Sequence, residues 1–154
     1  MKRHLTAVTV VLACAGSFSP LAGQETVPGS VTALAADIVG VEAGGYWSNG
    51  STEGFYRAVV TSAGVEHVNN SLYLQWVSVN LDDASYAIAA SVSIDEINVS
   101  HTQGYLIDVA RDKETEIGTL RMKITVHRSR SGDTTTYQLT ADGQLGKYKL
   151  AKVN

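Results

Sequence analysis

The chain has 154 residues and a formal charge of −3. That length suits one domain, and a single cysteine, Cys14, excludes a disulfide-built scaffold. Two prolines, fourteen glycines and no low-complexity tract exclude a collagenous or disordered chain.

Residues 1–23 have the layout of a secretory signal peptide. Lys2 and Arg3 form a basic start, residues 5–12 an uncharged and mostly apolar run, and Leu21-Ala22-Gly23 a cleavage site. The expectation is export, to a periplasm or beyond the cell. Val11-Leu12-Ala13-Cys14 supplies an alternative processing site, a bacterial lipoprotein box with a lipid anchor on Cys14. The folded part then carries no disulfide, so its core must suffice alone. The Asn-x-Ser triplets at Asn49, Asn69 and Asn98 fit the abundance of Ser and Thr, so a bacterial envelope is preferred to a eukaryotic secretory route.

After the leader, residues 24–36 read as a flexible lead-in and 37–154 as one β domain. Almost every segment has a two-residue period, and none carries a helical stripe. Strands are predicted at 38–47, 55–61, 65–79 (broken near Asn69-Asn70) and 86–94. Four more are predicted at 105–109, 117–127, 134–141 and 144–153. In the sixth, Leu120, Met122, Ile124 and Val126 alternate with Arg121, Lys123, Thr125 and His127. Asp142-Gly143 reads as a two-residue hairpin turn. About eight short strands with regular turns predict an all-β, antiparallel β-sandwich. A closed eight-stranded barrel is the alternative.

Charge is unevenly distributed. Residues 24–110 hold ten acids against Arg57 alone, a net −9; residues 111–154 hold nine bases against five acids, a net +4. If the last strands form a meander, one outer face presents Arg121, Lys123, Lys147 and Lys149 beside Thr136, Gln138 and Thr140. That surface suits phosphates or carboxylates. The expected partners are an envelope protein, an anionic lipid or an acidic polysaccharide. Nucleic acid is not expected for an exported, acidic chain. The same asymmetry permits head-to-tail self-association.

The catalytic inventory is thin. No Gly-x-Ser-x-Gly elbow, His-Glu-x-x-His pair or phosphate-binding glycine loop occurs. His67, His101 and His127 share no ligand spacing, and no metal or cofactor is expected. Asp82-Asp83 and Asp95-Glu96 are adjacent pairs, which diverge on a strand rather than face each other. The leading expectation is therefore an exported, non-catalytic binding or assembly accessory that meets its partner through sheet faces or edges. One alternative is a carbohydrate-binding module using Tyr46, Trp47 and Asn49, where rings stand beside a glycine-rich turn. A second is a small hydrolase with a cross-strand site around His67 or Asp95.

Overall fold

The computed structural model of the protein describes residues 29–98, 104–112 and 117–153. Two four-stranded antiparallel sheets make up the β domain. The first is a meander of β1 (Ile38–Asn49), β2 (Thr52–Ala63), β3 (Asn69–Asn80) and β4 (Ser85–Ser93). The second is a meander of β5 (Tyr105–Arg111), β6 (Leu120–Arg128), β7 (Thr134–Ala141) and β8 (Lys149–Lys152). Their inner faces share one core, so the architecture is the expected sandwich.

The barrel alternative is corrected. Closure would require β4 to pair with β5 and β8 with β1, and neither pair is hydrogen-bonded. Instead β5 lies against β1 across the layers, where the Arg111 side chain packs on Gly44. Among the described residues, four strand edges are therefore left open.

The core follows from alternation. Tyr56, Ala58 and Val60 from β2, Leu72, Leu74 and Trp76 from β3, and Leu120, Met122, Ile124 and Val126 from β6 all point inward. Each is nearly or fully removed from water. Burial of a side chain this large contributes about 1.5–3 kcal/mol, which explains why the domain needs no cysteine. The Tyr56 and Trp76 rings meet edge to face, with centroids 5.8 Å apart.

Four local features depart from simple alternation. In β1, Gly40, Glu42 and Gly44 pair in step with inward residues of β2, which on a strict two-residue period would carry Tyr46 inward. A bulge at Gly45, with φ +69°, inserts one residue and turns Trp47 inward instead. In β2, Gly54 runs so close to Val77 that an added Cβ would lie 1.8 Å from its carbonyl oxygen. β1 has another irregularity between Ile38 and Gly40, and a bulge at Ala89 divides the edge strand β4.

The link between sheets contains a short helix, α2 (Asp95–Asn98), which the strand periodicity did not indicate. Asn98 fastens it to β3. Its side-chain oxygen accepts the Leu72 N–H at 2.8 Å, and its amide donates to the Leu72 carbonyl at 2.8 Å. Asn98 thereby pairs with β3 as another strand would. A one-turn helix, α1 (Gly29–Thr32), falls in the expected lead-in. It belongs to a leading unit ending at Ala33; a second unit begins at Leu34.

The end of the chain also differs from expectation. Residues 64–68 connect β2 to β3 rather than starting a strand. Asp142-Gly143 does not make a two-residue hairpin. Gly143 has positive φ but Asp142 does not, and seven residues pass before β8 begins. The reason is tertiary: this connection crosses to the first sheet. Gly143 donates its N–H to the Tyr56 hydroxyl, and Tyr148 reaches Ser93 and Glu96.

Candidate binding surfaces

The outer face of the second sheet is built by register. Arg121 lies opposite Thr140, which lies opposite Lys149; Lys123 lies opposite Gln138, which lies opposite Ala151. Strand spacing puts Arg121 and Lys149 roughly 10 Å apart at the backbone. Lys147 precedes β8 and lines, with Thr140 and Lys149, a shallow groove of about 330 Å³. The four cationic residues expected to gather thus do share one side of the molecule. The Arg121 guanidinium stands 3.9 Å from the Asp112 carboxylate, both partly exposed. Among the described residues, Lys123, Lys147 and Lys149 form no ion pair.

The sequence asymmetry becomes an asymmetry of layers. Described residues 37–98, the first sheet and its connections, hold eight acids against Arg57, a net −7. Described residues 104–153, the second sheet, hold eight bases against four acids, a net +4.

Three strands of the second sheet are also tied by a polar chain that sequence reading missed. His127 Nε2 lies 3.1 Å from Asp108 Oδ2, and His127 Nδ1 lies 3.1 Å from Thr134 Oγ1. A carboxylate, an imidazole and a hydroxyl in that order resemble an activated nucleophile. Here all three sit on an open sheet face, with the Asp108 side chain 78% exposed, so water competes for every group. The signal available was the outward position of His127 on β6; its pairing with β5 and β7 came from register alone.

Tyr46 and Trp47 do not form a sugar platform together, which corrects that pairing. Trp47 is fully buried, and its indole N–H donates to the Phe55 carbonyl at 3.0 Å. Tyr46 faces outward and donates its hydroxyl to Glu53 at 2.5 Å. That hydrogen bond to the carboxylate holds the Tyr46 phenol above its ordinary pKa. Asn49 is exposed at the end of β1.

Tyr46 belongs to a different surface. Along the outer face of the first sheet, Tyr46 lies opposite Phe55, Phe55 opposite Val77, and Val77 opposite Ile88. Tyr86 adds an edge-to-face contact with Phe55 at 6.1 Å. Tyr86 and Ile88 are 67% and 54% exposed, more apolar surface than a solvated face requires. Arg57 crosses the centre of this face, where its Nε donates to Gln75 at 2.8 Å.

The remaining candidates are scattered. His67 is exposed in the 64–68 connection, and Asp95 and Glu96 are exposed on α2. Glu96 accepts the Tyr148 hydroxyl at 2.7 Å, and burial first, then this carboxylate, pushes the Tyr148 phenol up to about 12. Asp82 and Asp83 stand in the β3–β4 turn, where Asp83 accepts the Ser85 N–H; its hydrogen bonds to Ser85 hold its pKa low. Among the described residues no three His, Cys, Asp or Glu side chains are grouped to hold a metal ion. No helix there is long and apolar enough to cross a membrane. Residues 1–23, Cys14 and His101 lie outside the described residues. No protein-family model matches this chain, and no characterised protein or solved structure matches it.

Proposed function

We propose that this chain is an exported, non-catalytic binding or assembly accessory of a bacterial envelope, whose second sheet meets an anionic macromolecule. Residues 1–23 supply the address, with Cys14 as the lipid site if the chain is anchored. The observation that carries the binding role is the outer face around Arg121, Lys123, Lys147 and Lys149. Its three lysines form no ion pair among the described residues, although Asp142 and Asp112 line the neighbouring grooves. Cations about 10 Å apart on a rigid sheet suit a surface or polymer with repeated phosphates or carboxylates. A flat face suits such a partner better than a small molecule, which needs an enclosed pocket.

Cosedimentation with phosphatidylglycerol vesicles, and retention on an acidic polysaccharide, test the proposal. Binding is expected at low salt and is lost as screening shortens the Debye length from about 30 Å to about 3 Å. The Arg121→Glu/Lys123→Glu variant is expected to lose binding while remaining folded. Binding that persists in that variant, or no binding to either probe, removes the cationic face from the function. Intact mass of protein taken from the envelope tests the address: a start at Gln24 or a diacylated Cys14 supports export.

A further inference from the structure

The four open strand edges are not equivalent. β8 is four residues long and carries Lys149 and Lys152. β5 carries Asp108 and Arg111, and β1 is interrupted by two bulges. Charges on β5 and bulges in β1 discourage pairing with a foreign strand, and the lysines of β8 discourage every edge except one flanked by acids. β4 has no charge in its nine residues, SYAIAASVS, and its side chains from Ser85 to Ala89 are exposed. The bulge at Ala89 leaves two regular runs, 85–88 and 90–93. The second is flanked by the β7–β8 connection, with Gly146 against Val92 and Tyr148 against Ser93. The run 85–88 is the open one, and it follows directly on Asp82 and Asp83.

An unpaired edge takes a strand, because its free groups are backbone N–H and C=O. A second copy of β4 laid antiparallel on 85–88 would carry its β3–β4 turn onto positions 90 and 91, beside the half of the edge that the β7–β8 connection already flanks. The charge and length on the page fit β8 instead. It is four residues long, matching the open run, and its lysines are opposite in sign to Asp82 and Asp83. Val153 donates its N–H to Thr136, so antiparallel alternation turns the backbone groups of Leu150 and Lys152 to the open side.

We propose that copies of this chain associate head to tail, with β8 of one copy added to the 85–88 run of β4 in the next. The joint extends the first sheet of one molecule with the second sheet of another, acidic layer to basic layer. It shares Lys149 with the anionic-partner reading but not Arg121 or Lys123, so substitutions at those two separate the readings. Such a contact is heterologous and leaves a free β4 and a free β8 at the ends, so assembly is open-ended unless a ring closes. A joint of four residues is short, so association is weak and concentration-dependent.

Sedimentation velocity over a concentration series tests this. At about 0.01 M salt the weight-average mass is expected to rise with concentration, and at about 1 M salt to return to that of one chain. Two variants block one side each. Asp82→Lys/Asp83→Asn reverses the β4 side and keeps the side-chain oxygen that accepts the Ser85 N–H. Lys149→Glu/Lys152→Glu reverses the β8 side. Each alone is expected to stay monomeric, and an equimolar mixture to associate again. Arg121→Glu/Lys123→Glu leaves both edges intact and is expected to keep associating, more weakly than the parent because the basic layer loses charge. Near-ultraviolet circular dichroism of the buried Trp47 and Trp76 confirms that every variant is folded. A parent that stays monomeric, association that ignores salt, association surviving in either blocked variant, or a mixture that stays monomeric overturns the proposal.

Discussion

The hydroxyl of Tyr56, on β2, accepts the backbone N–H of Gly143 at 2.7 Å, joining residues 87 apart in the chain. Both are buried, so this bond fastens the β7–β8 connection to the opposite sheet without help from solvent. Burial, ahead of any other effect, raises the Tyr56 phenol above its ordinary pKa, so the hydroxyl keeps its proton. Replacing Tyr56 by Phe leaves the Gly143 N–H buried and unpaired. The expected loss is about 1–3 kcal/mol, read as a lower midpoint in urea unfolding. An unchanged midpoint would mean that the connection is held elsewhere.

Asn98 does for β3 what a further strand would do. Asn98→Ala leaves the Leu72 N–H without its acceptor, whereas the Leu72 carbonyl keeps the Ile94 N–H at 3.0 Å. An N–H left unpaired costs about 1–3 kcal/mol where water cannot replace the bond. Asn98→Asp keeps the acceptor but not the donor, so it should fall between Ala and the parent in urea unfolding at neutral pH. Equal midpoints for all three chains would show that α2 carries no load.

Gly45 decides which ring enters the core. Its φ of +69° is disfavoured for any side chain, and an added Cβ would stand 3.2 Å from the Tyr56 ring. Gly45→Ala is expected to cost about 1–3 kcal/mol in backbone strain. The relief available is loss of the bulge, which turns Trp47 outward. Tryptophan emission should therefore shift to the red and become open to acrylamide quenching, whereas the parent resists it. A destabilised variant with unshifted emission would show that Trp47 holds its place without the bulge.

The alkaline limit of stability is set in part by Tyr148. Its folded pKa of about 12 lies above the ordinary value of 10.0. The neutral phenol is favoured in the fold, so its contribution is fully present below pH 10 and is lost as pH rises toward 12. Unfolding midpoints should be flat up to the lower value and fall above it. Tyr148→Phe should remove part of that fall, and phenolate absorbance should lose a late-titrating component in this variant, with Tyr46 and Tyr56 also titrating above the ordinary value. A parent curve with no alkaline slope would contradict the burial of this hydroxyl.

Much of the fold was legible because strand alternation is local. Leu120, Met122, Ile124 and Val126 announce an inward face in the sequence, and all four are buried. Arg121, Lys123 and Lys149 could be placed on one side for the same reason, since register preserves parity across neighbouring strands. Where reading failed, a single residue or a distant contact intervened. Counting by twos through β1 cannot see the extra residue at Gly45, and it assigns Tyr46 and Trp47 to the wrong sides. Asp142-Gly143 carries a hairpin signal, but Tyr56 holds Gly143 against the other sheet.

The sequence by itself determined about eight strands in an antiparallel all-β fold, a meander at the end of the chain, a core without disulfides and two halves of opposite charge. Composition and the two-residue period suffice for these, because side-chain alternation and formal charge need no knowledge of distant residues. Only the tertiary structure decided which face of β1 turned inward past Gly45, that the charge halves became separate layers, and which strand edges stayed open among the described residues. Those depend on how two sheets lie against each other, and that rests on bulges, a crossing connection and hydrogen bonds such as Tyr56 to Gly143, made between residues far apart in the chain.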